Sequence, residues 1–377
     1  MLKFSSSRRQ SFLHLMVFYS LVMLFLSYSG SVLPPYLFEQ GLTISQQITG
    51  KFLLFFSAII ILIIAPKISA IKSWRLALII QLIYLFLIAY QPSLIKYYLA
   101  TIISGGFMYF FFVFYNTAHF KLTPKGRTGL SSAIMFTIPT LISVIVPILA
   151  GLSASISYSI IWGISLLLFA ISFWLTRFQK DFTLNIDLKQ GIKGIKPTRA
   201  FVLIEGVWEV IFWGIIPIYT LFFISTPLQY GLYLSYLSLI GAITSLFLGK
   251  YTDRTQRRAI WLYPLTITLS LLTVALAFST ENSTYWFIVT GIMNAILPIF
   301  WKFSTAFFVD AATDMDQAFP AREFLLSVGR AAGFLIVVVC LSLDHQIAPI
   351  LILGLFFLSF PILLYYRQYV TKSYKYL

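Results

Sequence analysis

In the second half of the chain, four ionisable side chains stand inside stretches that are otherwise apolar: Glu205, Glu209, Lys302 and Arg330. A charge in such a setting is costly. It is kept there when it pairs with an opposite charge, takes up a proton or meets a charged solute. Glu205 and Glu209 are four residues apart and share one face of a helix. Counting ~1.5 Å per residue inward from the ends of their stretches puts Glu209 and Arg330 ~14 Å deep and Lys302 ~12 Å deep. Three charges of mixed sign on three segments therefore reach similar depth. The chemistry this allows is reversible ion pairing, with Glu209 bridging Lys302 and Arg330 until a proton or a solute releases it. The competing reading is a static cluster that only fixes helix packing. Trp208 beside Glu209 and Trp301 beside Lys302 are the expected stacking surfaces, and Tyr19, Tyr28, Trp213 and Asn294 lie on the same group of stretches. In the first half, Lys51 either meets an anion or reaches outward to water. Asn116 and His119 are either cavity polar groups or interface residues.

The elements that carry these residues are set by hydropathy. The chain is 59% hydrophobic and 10% charged, where a soluble domain carries about 25% charge. The apolar surplus falls into twelve stretches of roughly the ~20 residues that a bilayer crossing needs. They run over 12–33, 44–66, 75–91, 95–120, 128–151, 153–176, 200–224, 227–249, 259–279, 283–310, 321–343 and 345–368. All are expected to be helices, because lipid leaves a single segment no other way to satisfy its backbone. Of the 27 Lys and Arg, 23 fall in alternate breaks and the two termini; the opposite breaks hold only Lys96. Basic residues are retained on the cytoplasmic side. Both termini are therefore expected in the cytoplasm, the number of crossings is even, and the membrane is a plasma (inner) membrane.

The same features exclude other classes. The net charge of +15 is scattered through short breaks, which suits topology and contact with membrane lipids rather than nucleic acid. The single Cys340 rules out an internal disulfide framework and a thiolate metal cluster. No metal, no cofactor and no Gly-x-x-x-x-Gly-Lys-Ser/Thr nucleotide loop is expected. The first stretch reads as a retained helix rather than a cleaved leader. Asp310, Asp314 and Asp316 have spacings that could hold a divalent cation, but they read as the cap of the eleventh stretch together with Arg322 and Glu323. An enzyme is not expected.

Residues 177–199 form the only long polar interruption. They divide the chain into a six-helix bundle over 1–176, a cytoplasmic linker over 177–199 and a second six-helix bundle over 200–377. The halves echo each other at an offset of 183, Arg75 mapping onto Arg258 and Pro34 onto Pro217. The sharpest motif lies between the eighth and ninth stretches: Gly249-Lys-Tyr-Thr-Asp253-Arg254-Thr-Gln-Arg257-Arg258. It resembles the Gly-x-x-x-Asp-Arg-x-x-Arg-Arg loop of the major facilitator superfamily. The resemblance extends to twelve spans, inside termini and the 6+6 division. The equivalent first-half stretch, Pro66 to Arg75, lacks both Gly and Asp, so no subfamily is implied. Val146-Pro147-Ile-Leu-Ala150-Gly151 partly matches a signature of proton-driven exporters, without its leading Gly.

The resemblance implies an all-α membrane protein of two pseudo-symmetric six-helix bundles. Spans seven, ten and eleven would border a central cavity, and three, six, nine and twelve would lie outside it. It implies a monomeric secondary active transporter of a small molecule working by alternating access, with Gly249, Asp253, Arg254, Arg257 and Arg258 as the conformational-switch loop. Proton coupling through Glu209 or Glu205, and possible export, follow as expectations. Lys51, Lys302 and Arg330 against Glu205 and Glu209 leave a positive excess, which favours an anionic or zwitterionic cargo. A lipid or lysolipid flippase on the same fold, and a non-transporting sensor or scaffold, are the alternatives. Pro34-Pro35, Gly105-Gly106, Pro217 and Pro298 are the expected points of helix bending.

Overall fold

A computed structural model describes residues 6–64, 67–124, 127–252 and 258–371. Twelve long helices follow one another: α1 (Ser6–Gly30), α2 (Ile44–Ile63), α3 (Ala70–Ala89), α4 (Leu94–Leu122), α5 (Thr128–Ile156), α6 (Tyr158–Leu175), α7 (Arg199–Phe222), α8 (Pro227–Thr252), α9 (Arg258–Ala277), α10 (Ser283–Ala311), α11 (Met315–Ser342) and α12 (Ala348–Val370). Eleven are long and apolar enough over their described residues to cross a membrane. The other, α8, has 26 residues and is ~39 Å long at 1.5 Å per residue. No strand forms among the described residues; Ser69 and Thr183 make an isolated bridge.

Several starts are fixed by side chains that satisfy orphan backbone N–H groups. Thr43 and Gln46 form a reciprocal capping box at α2. Ser93, Ser157, Asn282 and Asp314 cap α4, α6, α10 and α11. The cap at Asp314 moves the start of α11 six residues ahead of the expected 321. Arg322 and Glu323, expected at a helix cap near the surface, therefore lie two turns inside and are buried. The three aspartates go to separate partners: Asp310 accepts from the Thr128 hydroxyl, Asp314 caps α11 and Asp316 pairs with Lys121.

The expected bending points resolve in different ways. Pro298 sits inside an unbroken helix, α10. Pro34 and Pro35 open a short helix, Leu33–Glu39, after α1 ends, where a missing N–H costs nothing. Gly105 is a packing residue: a Cβ there would strike Ser57 and the Leu54 carbonyl of α2. True irregularity appears nearby instead. α4 is π-helical over Met108–Val113, and α7 over Ile211–Ile215 just before Pro217. π-Bulges of this kind gather at functional sites.

Within each half the helices share apolar cores. α1, α3 and α4 supply most of one cluster and α7 to α12 most of another, which also takes Ile48 and Phe55 from α2. Across the halves α5 lies against α8 and α2 against α11. α5 and α8 touch backbone to backbone: a Cβ on Gly151 would stand 2.8 Å from the Pro227 carbonyl oxygen. The polar linker is tied to both halves. Ala70 N–H donates to Phe182 O and Ile71 N–H to Asp181 Oδ1, at the start of α3. Asp187 N–H donates to Gln317 Oε1, and Gln317 Nε2 donates to Asn185 O, at the start of α11.

Of the motif between α8 and α9, Asp253, Arg254 and Arg257 lie outside the described residues. Gly249 does not end its helix, because α8 runs on to Thr252, and Arg258 opens α9.

Candidate functional site

A cavity of about 550 Å³ lies between the halves. Its wall includes Met23 to Leu33 of the α1 region, Pro139 to Pro147 of α5, Phe212 to Pro217 of α7, Leu234 to Gly241 of α8 and Asn294 to Trp301 of α10. These stretches lie in the middle of the molecule and toward the face opposite the termini. Both π-helical segments reach it, through Met108 and Phe112 on one side and Phe212 and Trp213 on the other. α3 contributes Gln81 and Tyr84. The third helix was expected outside; the close approach of α4 to α2 at Gly105 accompanies its exposure to the cavity. On the terminal side the halves are in contact: Phe120 stacks on Phe319 at 5.3 Å, Lys121 pairs with Asp316, and Thr128 donates to Asp310.

The buried charges converge, with different partners from those expected. Arg330 donates from Nε to Glu209 Oε2 at 2.8 Å, with Nη2 2.6 Å from the same oxygen. Its Nη1 donates to Glu323 Oε1 at 3.1 Å. Glu209 Oε1 accepts from the Trp301 indole N–H at 2.8 Å. One turn back, Glu205 accepts from the Ser304 hydroxyl at 2.5 Å and from Arg322 Nη2 at 3.3 Å. Lys302 is the correction: it is 5% exposed and has no ion pair or hydrogen bond among the described residues. Glu209 thus bridges Arg330 and Trp301, and Glu323 supplies the second carboxylate. The guanidinium of Arg330 also sits 5.2 Å from the Phe55 ring and 5.7 Å from the Trp213 ring, geometry in which a ring face attracts a cation.

Close packing of α7 on α11 makes these contacts possible. A Cβ on Gly206 would meet the Leu326 carbonyl at 2.6 Å, and one on Gly329 the Val207 nitrogen at 2.8 Å. Gly329 and Gly333 form a Gly-x-x-x-Gly pair around Arg330, the pattern that lets membrane helices approach closely. That pair was legible in the sequence and points to the α7–α11 crossing. Arg322 and Glu323 were missed because hydropathy alone places the helix start too late.

The remaining candidates separate. Trp301 is on the cavity wall, stacked on Phe136 of α5 at 6.0 Å. Asn294 is there too, donating to Thr290 O at 2.9 Å, and so are Lys51 and Trp213. Trp208 faces away: it is fully buried, stacked on Phe357 at 4.1 Å, and donates to Thr273 Oγ1. It packs α7 against α9 and α12 and is not a stacking surface for a solute. Asn116 is buried in α4 and is not on the cavity wall. His119 is an interior residue rather than an interface one, bonded to Tyr115 and Ser131. Tyr19 stacks on Tyr115 at 4.0 Å, and the Tyr28 hydroxyl bonds to Ser153.

No family model matches the sequence, and no curated protein matches it. Solved structures do. The human organic anion transporter MFSD10 (TETRAN) superposes with a TM-score of 0.72 at 12% identity, over 96% of this chain and 100% of that one. The chain has the major facilitator fold. A bacterial homologue of the iron transporter ferroportin, in its outward-facing state, gives 0.67 at 14% identity over 94% of this chain and 97% of that one. The major facilitator superfamily transporter FucP in its outward conformation gives 0.65 at 14% identity, over 94% and 98%. The paired charges lie on the seventh and eleventh helices, with neutral Trp301 and Ser304 from the tenth; the seventh and tenth helices line the cavity, but the eleventh, expected to border it, supplies no lining residue among those described.

Proposed function

We propose that this integral membrane protein is a monomeric secondary active transporter of a small anionic or zwitterionic molecule, working by alternating access and driven by protons. Both termini face the cytoplasm of a plasma membrane in this reading, which rests on the side-biased Lys and Arg. One observation carries the mechanism: Glu209 holds Arg330 with one oxygen and, with the other, the indole of Trp301, which forms cavity wall. A solute that displaces Trp301, or a proton that neutralises Glu209, loosens the same pair. Arg330 then changes its hold on Phe55 of α2, in the other half. Small changes at the site are passed to the interface that rocking must break.

The test is uptake into proteoliposomes with and without a pH gradient, over organic anions, sugars, amphiphilic drugs and lysolipids. Glu209→Gln is expected to lower gradient-driven uptake at least tenfold and to leave a residual rate indifferent to the gradient. Full transport with unchanged pH dependence removes Glu209 as the coupling group. The mostly apolar lining keeps a flippase as the second reading; gradient-independent movement of lysolipid alone would favour it.

A further inference from the structure

The cavity wall is asymmetric in charge. Lys51 of α2 is the single Lys, Arg, Asp or Glu among its lining residues. The acidic groups stand behind Trp301 and Trp213 in the other half and are themselves occupied by Arg330 and Arg322. Lys51 has no hydrogen bond or ion pair among the described residues.

Two neutral donors line the same cavity from the first half. Gln81 and Tyr84 stand one turn apart on α3, 9% and 8% exposed. The Gln81 carbonyl oxygen accepts from Ser104 at 3.4 Å, which leaves its NH₂ group without a partner among the described residues. The Tyr84 hydroxyl likewise has none. Lys51, Gln81 and Tyr84 thus give one cavity wall three donors that face the cavity with no partner among the described residues, free to meet an acceptor brought in from outside. Much of the rest of the wall is apolar, with flat rings supplied by Phe107 and Phe112 from α4 and by Phe212, Trp213 and Trp301 from the facing half.

We infer that the cargo is an aromatic or otherwise flat apolar monoanion. Its acidic group is held by Lys51, the Gln81 amide and the Tyr84 hydroxyl in the first half, and its body lies against the aromatic wall that ends in Trp301. This deepens the transport reading above and rests on it. It also gives the halves different tasks: the first fixes the negative group, and the second senses the body through Trp301. A dianion would leave one charge without a cation in the wall. A cation would meet Lys51 and no carboxylate.

The experiment is calorimetric titration of the purified full-length chain in detergent with 4-biphenylcarboxylate, its neutral amide and 4-biphenylmethylamine. The carboxylate is expected to bind at least tenfold more tightly than either analogue. Lys51→Gln is expected to remove that preference, and Lys51→Arg to keep it within about threefold, which separates loss of charge from loss of fold. Tyr84→Phe and Gln81→Leu are each expected to weaken the carboxylate severalfold and the amide less. Equal binding of carboxylate and amide, or an unchanged preference in Lys51→Gln, overturns the assignment. The transport reading is judged separately, by the proteoliposome panel. Uptake of sugars or cations that ignores Lys51 sinks the anion site and leaves transport standing. Carboxylate binding without movement of any solute does the reverse.

Discussion

Arg330 has two carboxylate partners, Glu209 and Glu323, and two aromatic faces, Phe55 and Trp213. A guanidinium can serve all four at once because its donors form a fixed planar fork and its faces remain free to stack; an ammonium cannot. Arg330→Lys is therefore expected to keep the positive charge and still cut uptake more than tenfold, with a lower unfolding temperature on a thermal-shift assay. Recovery of both to wild-type levels would mean that charge alone matters. Lys302 presents the opposite case. It is buried and unpaired among the described residues, and a Lys at mid-membrane costs ~2.5–3.5 kcal/mol on insertion scales. Lys302→Met should raise stability by ~1–3 kcal/mol, read as a shift in thermal unfolding in detergent. A loss of stability would mean that Lys302 has a partner in the native membrane. At this scale the sequence located the buried charges but was a poor guide to their partners. Glu209, Arg330 and Trp301 were visible as charges or aromatics at matching depth. Trp208 stood beside Glu209 in sequence yet points elsewhere, since adjacent residues on a helix are turned by about 100°.

Helix α11 combines the charge cluster with the closest helix contact in the site. Gly206, Gly329 and Gly333 bring α7 and α11 together at backbone distance, and the ion pairs close the gap above and below. Gly329→Val would drive a side chain into the Leu203 carbonyl and the Val207 nitrogen of α7. It is expected to separate the helices, unpair Arg330 and abolish a monodisperse peak on size-exclusion chromatography; normal behaviour and transport would show that the crossing tolerates spreading. The helix ends were less legible than the helices. Hydropathy marks where apolar residues stop, whereas α11 begins at its cap, Asp314, in polar sequence. The π-helical turns of α4 and α7 had no sequence signal beyond a nearby glycine pair and a proline, because a bulge is a response to packing.

The whole molecule holds its terminal side shut through three kinds of contact. These are the Phe120–Phe319 stack, the Thr128–Asp310 and Lys121–Asp316 pairs, and the linker, which is tied to α3 on one side of buried Leu184 and to α11 on the other. If the halves rock, these contacts must part in the alternative state. Thr128→Cys with Asp310→Cys, in a Cys340→Ser background, is expected to cross-link under oxidant and to stop exchange across the membrane until reduced. Exchange that continues in fully cross-linked protein would show that the terminal side never opens.

Hydropathy, charge bias and the long polar break were enough to read off twelve helices and a pseudo-repeat, because a bilayer forces each crossing to declare itself in composition. The fold of the major facilitator transporters followed from that count and one loop motif. What composition could not carry was lateral arrangement: which face of each helix turns inward, and which charges come within 3 Å of one another. Those depend on close helix crossings at glycines and on caps a few residues outside the apolar runs, and both are properties of helices already packed together. The pairing of Arg330 with Glu323, the lack of a partner for Lys302 among the described residues and the place of Gln81 and Tyr84 on the same cavity wall as Lys51 were therefore decided only in three dimensions.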